Sequence, residues 1–264
     1  IGKERNNMLK KEENRLLRRF DKELLCIEPW GKNSFRVRAT QRHEFNPEDD
    51  ISALLPQYIC KASIKEEGTS TFIQNGDLIC ELTKTGKLRF IKADGKLLLE
   101  EYERMRTMAE EGRKEFNSAL EIAPRTFESY ESMDNYRLTL RFEACDKEKL
   151  FGMGQYQQPY LDLKGCTLEL AHRNSQASVP FVLSDRGYGF LWNNPAIGSV
   201  VFGKNLTEWR ADSTKQLDYW ITTGNTPAEI EANYSEVTGR VPMMPEYGMG
   251  FWQCKLRYQT QEEI

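Results

Sequence analysis

The chain has 264 residues and a net charge of -3, from 37 Lys and Arg against 40 Asp and Glu. Hydrophobic residues make up 39% and charged residues 29%, which is ordinary for a globular protein with a real core. Nucleic-acid binding is excluded on charge, because phosphate recognition needs a clustered basic face. A bilayer-spanning helix is excluded because no apolar run approaches the roughly 18 residues needed.

In chain order, Met8, Leu9, Leu16 and Leu17 lie among mixed charges and predict a weakly amphipathic helix over residues 1–19. The basic run there also carries Glu4, Glu12 and Glu13, so it reads as a solvated helix face. From Leu24 the period changes to two. Ser34 to Ala39 alternates as a half-buried strand does. Asn75-Gly76 separates Thr71–Ile73 from Leu78–Leu82, and Asp94-Gly95 separates Lys87–Ile91 from Leu97–Leu99. Both are hairpin signals. Glu100 to Asn117 is dense in charge and reads as a loop or a short exposed helix. Tyr136 to Phe142 alternates cleanly, and further short strands are expected over Ser178–Leu183, Gly189–Asn193 and Leu217–Thr222. Many short strands with tight turns indicate a sandwich or barrel-like antiparallel sheet.

The last forty or so residues differ. Thr226-Pro227-Ala228-Glu229 is a capping box with proline at the first helical position. Ile230, Tyr234 and Val237 then fall on one helix face, and Gly239 closes it. Val241 to Pro245 is a stiff linker, Tyr247 to Cys254 reads as a buried strand, and Thr260 to Glu263 as a second capping box. A strand, a loop and a helix cap are the opening of a β/α unit, so the expectation is a chain cut from a longer protein at a domain start.

Few motifs carry chemistry. The six cysteines include no C-x-x-C pair and there are only two histidines, so no metal site of common spacing is expected. Scattered cysteines are expected to be reduced thiols. Gly152-Met153-Gly154 lacks a third glycine at dinucleotide spacing and reads as a relieved turn. No G-x-S-x-G elbow is present. The sequons at Asn205 and Asn233 are read as chance matches. No signal peptide is recognisable at the start, which points to the cytoplasm unless a leader precedes Ile1.

The runs FGMGQYQQPYLDLKG from Phe151, SVPFVLSDRGYGFLWNNP from Ser178, and LDYWITTGNTPAEIEANYSEVTGRVPMMPEYGMGFWQCKLRYQTQEEI from Leu217 resemble glycoside hydrolase family 31 in order and spacing. CIEPWGKNSFRVRAT from Cys26 is similar to an early strand pair of that family. The resemblance implies a mainly β fold. A large antiparallel, galactose-mutarotase-like β-sandwich is followed by the first strand of a truncated (β/α)8 barrel. The domains are then a helical segment at 1–19, the sandwich at 20–240, and a linker with the barrel start at 241–264.

The resemblance also implies a retaining α-glycoside hydrolase, an α-xylosidase or α-glucosidase, acting on an oligosaccharide or glycoside with terminal α-linked sugars. Its two catalytic aspartates lie in the barrel beyond Ile264, so no catalytic residue is assigned here, no metal or organic cofactor is implied, and the chain alone is expected to be inactive. Substrate contacts are implied at Arg173 and Asn174, in a loop that overhangs the barrel mouth, where asparagine replaces the aspartate of many members. On the first barrel strand, Leu256 takes the place of a pocket-lining aromatic, with Trp252 beside it as core or sugar platform. The competing readings are a stand-alone carbohydrate-binding β-sandwich and an interaction module with no sugar contact. Homo-oligomer formation stays open.

Overall fold

The computed structural model describes residues 8–50, 53–56, 61–104, 121–130, 132–253, 255 and 257–263. Three antiparallel sheets make the fold. The largest has eight strands in the order β1 (Met8–Glu12), β2 (Arg15–Phe20), β3 (Glu23–Pro29), β4 (Ser34–Thr40), β18 (Leu217–Thr223), β15 (Tyr188–Trp192), β14 (Ala177–Ser184), β12 (Leu150–Gln155). A five-stranded meander runs β5 (Ser63–Glu67), β6 (Ser70–Asn75), β7 (Leu78–Leu82), β8 (Leu88–Lys92), β9 (Leu97–Glu100). The third sheet has the order β10 (Arg125–Tyr130), β11 (Ser132–Glu143), β17 (Leu206–Thr214), β16 (Gly198–Phe202), β13 (Thr167–Leu170). The expected β-sandwich is therefore present, and both Gly-containing hairpins fall where the sequence puts them. Gly76 and Gly95 hold positive φ of 57° and 90° there, which a side chain disfavours.

One core fills the space between the eight-stranded sheet and the other two. Rings from all three sheets meet in it. Tyr219 of β18 lies 6.2 Å from Phe90 of β8, 6.0 Å from Phe142 of β11 and 5.0 Å from Phe190 of β15. Trp209 of β17 stacks on Trp192 at 5.7 Å. Alternation along β18 sends Leu217, Tyr219 and Ile221 into this core and Trp220 to the opposite face.

That outer face is covered by α1 (Pro227–Thr238). Thr226 caps it by accepting from Glu229 N at 3.2 Å, while Glu229 reaches back to Asn225 N at 2.7 Å. Ile230 and Val237 are buried against Trp220, and Tyr234 stacks on Phe181 at 4.1 Å. Each such apolar side chain contributes about 1.5–3 kcal/mol by burial. All seven residues of β18 are buried because both of its faces are covered. Asn233 is buried too and donates to Thr222 Oγ1 at 3.0 Å, so its amide ties α1 to the sheet.

The three sheets are also joined through one cation. Arg125, at the start of β10, donates to Glu101 at 2.5 Å, to both Glu23 oxygens at 3.0 Å, and to Gly86 O at 2.9 Å. Glu101 sits where the two five-stranded sheets meet, bridged to Phe142, and its carboxylate also accepts from Leu88 N at 2.8 Å. Burial pushes the Glu101 carboxyl above its usual range, with Arg125 pulling it back down.

Two expectations are corrected. Within residues 1–19, the described part is a β-hairpin and not a helix: β1 pairs with β2 from Met8↔Arg19 to Glu12↔Arg15. Leu16 and Arg18 point inward, Leu9 packs on the core, and β2 completes a ladder with β3. Pairing with an available sheet edge outweighs a weak helical period. Likewise, no strand forms among the described residues of Tyr247 to Gln253. Glu246–Met249 is a single 3-10 turn and Phe251 and Trp252 are exposed, because no neighbouring strand offers a ladder. Most of the charge-dense stretch after Glu100 lies outside the described residues.

Candidate functional site

The turn that carries Arg173 and Asn174 connects β13 to β14, and so crosses from a five-stranded sheet to the eight-stranded one. Its tip is the pair Asn174-Ser175, closed by Arg173 N to Gln176 O at 3.3 Å and Gln176 N to Arg173 O at 3.0 Å. Ser175 takes a φ of +65°, a left-handed conformation uncommon for a residue other than glycine. The Asn174 side chain is exposed and forms no hydrogen bond among the described residues, so its amide remains free to donate and accept.

Arg173 is differently placed. Its guanidinium forks onto Glu169, at 2.7 and 2.5 Å, and this bond holds the Glu169 carboxyl below its usual range. The arginine therefore braces the turn. His172 Nδ1 accepts from Ser178 N at 3.3 Å on the other side. Beneath the turn, the Tyr156 hydroxyl donates to Glu169 O at 2.8 Å and meets Ser178 Oγ at 2.7 Å. Sequence reasoning passed over Tyr156; the only signal was its position just after the glycine-relieved segment.

Trp252 stands in the tail, 74% exposed as a residue, with Nε1 donating to Gly248 O at 2.7 Å. Leu256 lies outside the described residues. Among the described residues no hydrogen bond, ion pair or ring contact joins Trp252 to the Asn174 turn, so the structure does not bring these candidates together. A cavity of about 420 Å³ lies elsewhere, beside the start of α1, lined by Phe151, Phe181 and Ile230 with Asp185 and Glu231 at its edge.

The two buried carboxylates that burial pushes upward are structural. Burial pushes Asp218 up to about 6, with Arg36 drawing it back, and its oxygens lie 2.5 Å and more from that guanidinium. Glu101 is held in the same way by Arg125. Neither carboxylate opens onto a cleft, since their exposures are 3% and 0%. No group of three metal-ligating side chains occurs among the described residues.

Residues 24–200 match the glycosyl hydrolase 31 N-terminal galactose mutarotase-like domain. The chain belongs to glycoside hydrolase family 31. An uncharacterized family 31 glucosidase of Pseudescherichia vulneris is 49% identical over 251 residues, covering 93% of this family 31 chain and 47% of that protein. An α-xylosidase of Saccharolobus solfataricus is 32% identical over 143 residues, covering 51% of this chain and 20% of that protein. Among solved structures, a family 31 α-xylosidase from a soil metagenome, complexed with xylose, superposes with a TM-score of 0.90 at 48% identity. That match covers 97% of this chain and 38% of the other. The family 31 chain thus spans less than half the length of these relatives.

Proposed function

We propose that this domain serves a retaining α-glycoside hydrolase, an α-xylosidase in the first place and an α-glucosidase in the second, that removes terminal α-linked sugars from an oligosaccharide or glycoside. The observation that carries the reading is the 0.90 TM-score at 48% identity with an α-xylosidase holding xylose. The relatives extend well past the matched region, which supports placing the catalytic aspartates outside this chain. The chain alone is then inactive.

Within this reading Asn174 meets a sugar hydroxyl from above the pocket. Its support is the unspent amide on an ordered turn. A residue at the rim that binds substrate and transition state alike lowers KM more than it raises kcat. A reducing, cytoplasmic setting fits the described cysteines Cys26, Cys80, Cys145 and Cys166, which form no disulfide.

The test is to assay full-length protein on aryl α-xyloside and aryl α-glucoside and follow the released sugar by proton NMR. The α-anomer should appear first, with xyloside preferred, and the 264-residue chain should match a heat-treated control. A β-anomer appearing first, or turnover by the purified chain, defeats the reading.

A further inference from the structure

The strands that flank the Asn174 turn do not pair with each other. β13 pairs with β16, while β14 pairs with β12 and β15, so the backbone ladder that normally holds a hairpin together is missing below the Arg173–Gln176 bridge. Side-chain bonds stand in for it, and Tyr156 is the one that reaches both flanking strands at once. The Tyr156 ring packs against the main core, and its hydroxyl reaches the neck of the excursion from just past the end of β12, donating to Glu169 O at 2.8 Å. Its single proton being used there, the contact at 2.7 Å is a Ser178 hydroxyl donating to Tyr156. Glu169 belongs to β13 and Ser178 to β14, so one phenol oxygen closes the gap between two different sheets. Two further braces hang on the same two residues: the Glu169 carboxylate holds Arg173, and Ser178 N donates to His172, while Gln176 Nε2 donates to Ala171 O at 3.4 Å nearer the tip.

The chain takes unusual conformations to deliver this tyrosine. Gly152, Met153 and Gly154 have successive φ values of 104°, 70° and 89°. Met153 is a buried non-glycine residue in the left-handed region, a local cost that the surrounding structure must sustain. The register slips there: Gly152 faces Val182 and Gly154 faces Ser178, so β14 bulges opposite Met153. A Cβ on Gly154 would sit 2.4 Å from Ala177 O, so only glycine permits this approach.

We infer that Tyr156 is a positioning residue for substrate binding, which presets the Asn174 turn by clamping its neck across two sheets. The inference rests on the reading of Asn174 as a sugar contact. A clamped turn keeps the binding-competent conformation populated. Releasing it lowers that fraction and raises the apparent dissociation constant in proportion.

The test is Tyr156→Phe in the full-length enzyme, which deletes the hydroxyl and keeps the ring. KM on aryl α-xyloside should rise roughly fivefold with kcat within about twofold, as for a loss of uniform binding. The effect should vanish in an Asn174→Ala background, because the hydroxyl acts through that turn; a merely structural role would give the same loss in both backgrounds. Ser178→Ala, which removes the other end of the clamp, should reproduce the KM effect and serves if the phenylalanine variant folds poorly. If Asn174→Ala raises KM while both clamp variants behave as wild type, the inference is overturned and the reading of Asn174 stands. If Asn174→Ala is itself silent, that reading fails and takes the inference with it. A clamp effect of equal size in the Asn174→Ala background also overturns the inference.

Discussion

Replacing Arg125 with methionine removes the cation that joins the three sheets and leaves Glu101 inside. The Glu101 side chain is 0% exposed and that of Arg125 4%. Without the guanidinium, the Glu101 carboxylate keeps, among the described residues, only the Leu88 N–H as a donor. Breaking a buried pair from one side costs about 3–5 kcal/mol, since it strands an uncompensated charge. For a chain of this size each kcal/mol lowers Tm by about 2–4 °C, so the loss should be roughly 6–20 °C. Urea denaturation of the chain, followed by tryptophan fluorescence, measures it directly. Adding Glu101→Gln should recover much of the loss, because the stranded charge goes with it.

The pH dependence has a definite sign. An acid whose pKa is raised on folding contributes no penalty below its unfolded value of 4.5, and a growing one as pH rises through the folded value. Arg125→Met removes the guanidinium that pulls the carboxyl down and leaves the upward push of burial opposed only by the Leu88 N–H, so its deficit against the parent should be smaller at pH 4.5 than at pH 7.5. A loss below about 1 kcal/mol, or a double variant no more stable than the single one, would refute the argument that Glu101 is the stranded charge.

Asn174→Ala in the full-length enzyme removes one or two hydrogen bonds worth about 0.5–1.5 kcal/mol each, so kcat/KM on aryl α-xyloside should fall on the order of tenfold with an unchanged melting curve. Wild-type kinetics on every α-glycoside tried would leave the turn a structural element. Deleting residues 245–264 should cost little stability, because Tyr247, Phe251 and Trp252 are 86%, 90% and 74% exposed. The deletion should also reduce any light-scattering signal of self-association, as exposed apolar surface drives it; a truncated chain that fails to fold would show the tail to be integral. Thiol titration in denaturant should find all six cysteines reduced. In the native chain Cys26, which burial pushes up to about 12, should stay unreactive while the partly exposed Cys145 and Cys166 react. A shortfall of two thiols in denaturant would mark a disulfide.

What could be read from the sequence was local. Asn75-Gly76 and Asp94-Gly95 force their turns by backbone conformation alone, and both hairpins are where those dipeptides stand. The box at Thr226 to Glu229 marks the start of α1 because all of its partners lie within one turn. The β1–β2 hairpin was missed for the opposite reason. Its strands gain their stability from the edge of β3, which no period within residues 8–20 announces. The tail erred the other way: apolar content suited to a strand does not make one without a neighbour to pair with. The Arg125 seam was invisible too, since Glu101 and Gly86 lie 24 and 39 residues away and Glu23 lies 102. At the candidate site the sequence found the turn but not what holds it. Tyr156 closes a gap between two sheets, and that gap exists only once β13 and β14 have gone to different partners.

The placement of β18 has a consequence for how the chain is made. The last strand enters the eight-stranded sheet at its middle, between β4 and β15, and its Asp218 meets an Arg36 that lies 182 residues earlier. At roughly 5–20 residues per second, ribosomal synthesis delivers that partner about 10–40 s after β4 has emerged. For that interval β4 has an unpaired edge and Arg36 has no carboxylate from β18. The β5–β9 meander, by contrast, is complete as soon as its own residues are out, because each strand pairs only with its chain neighbours. Folding on the ribosome should therefore be lopsided, with an early, self-sufficient meander beside a waiting half-sheet. That half-sheet is the surface that a chaperone, or the same strand of another nascent chain, would meet first.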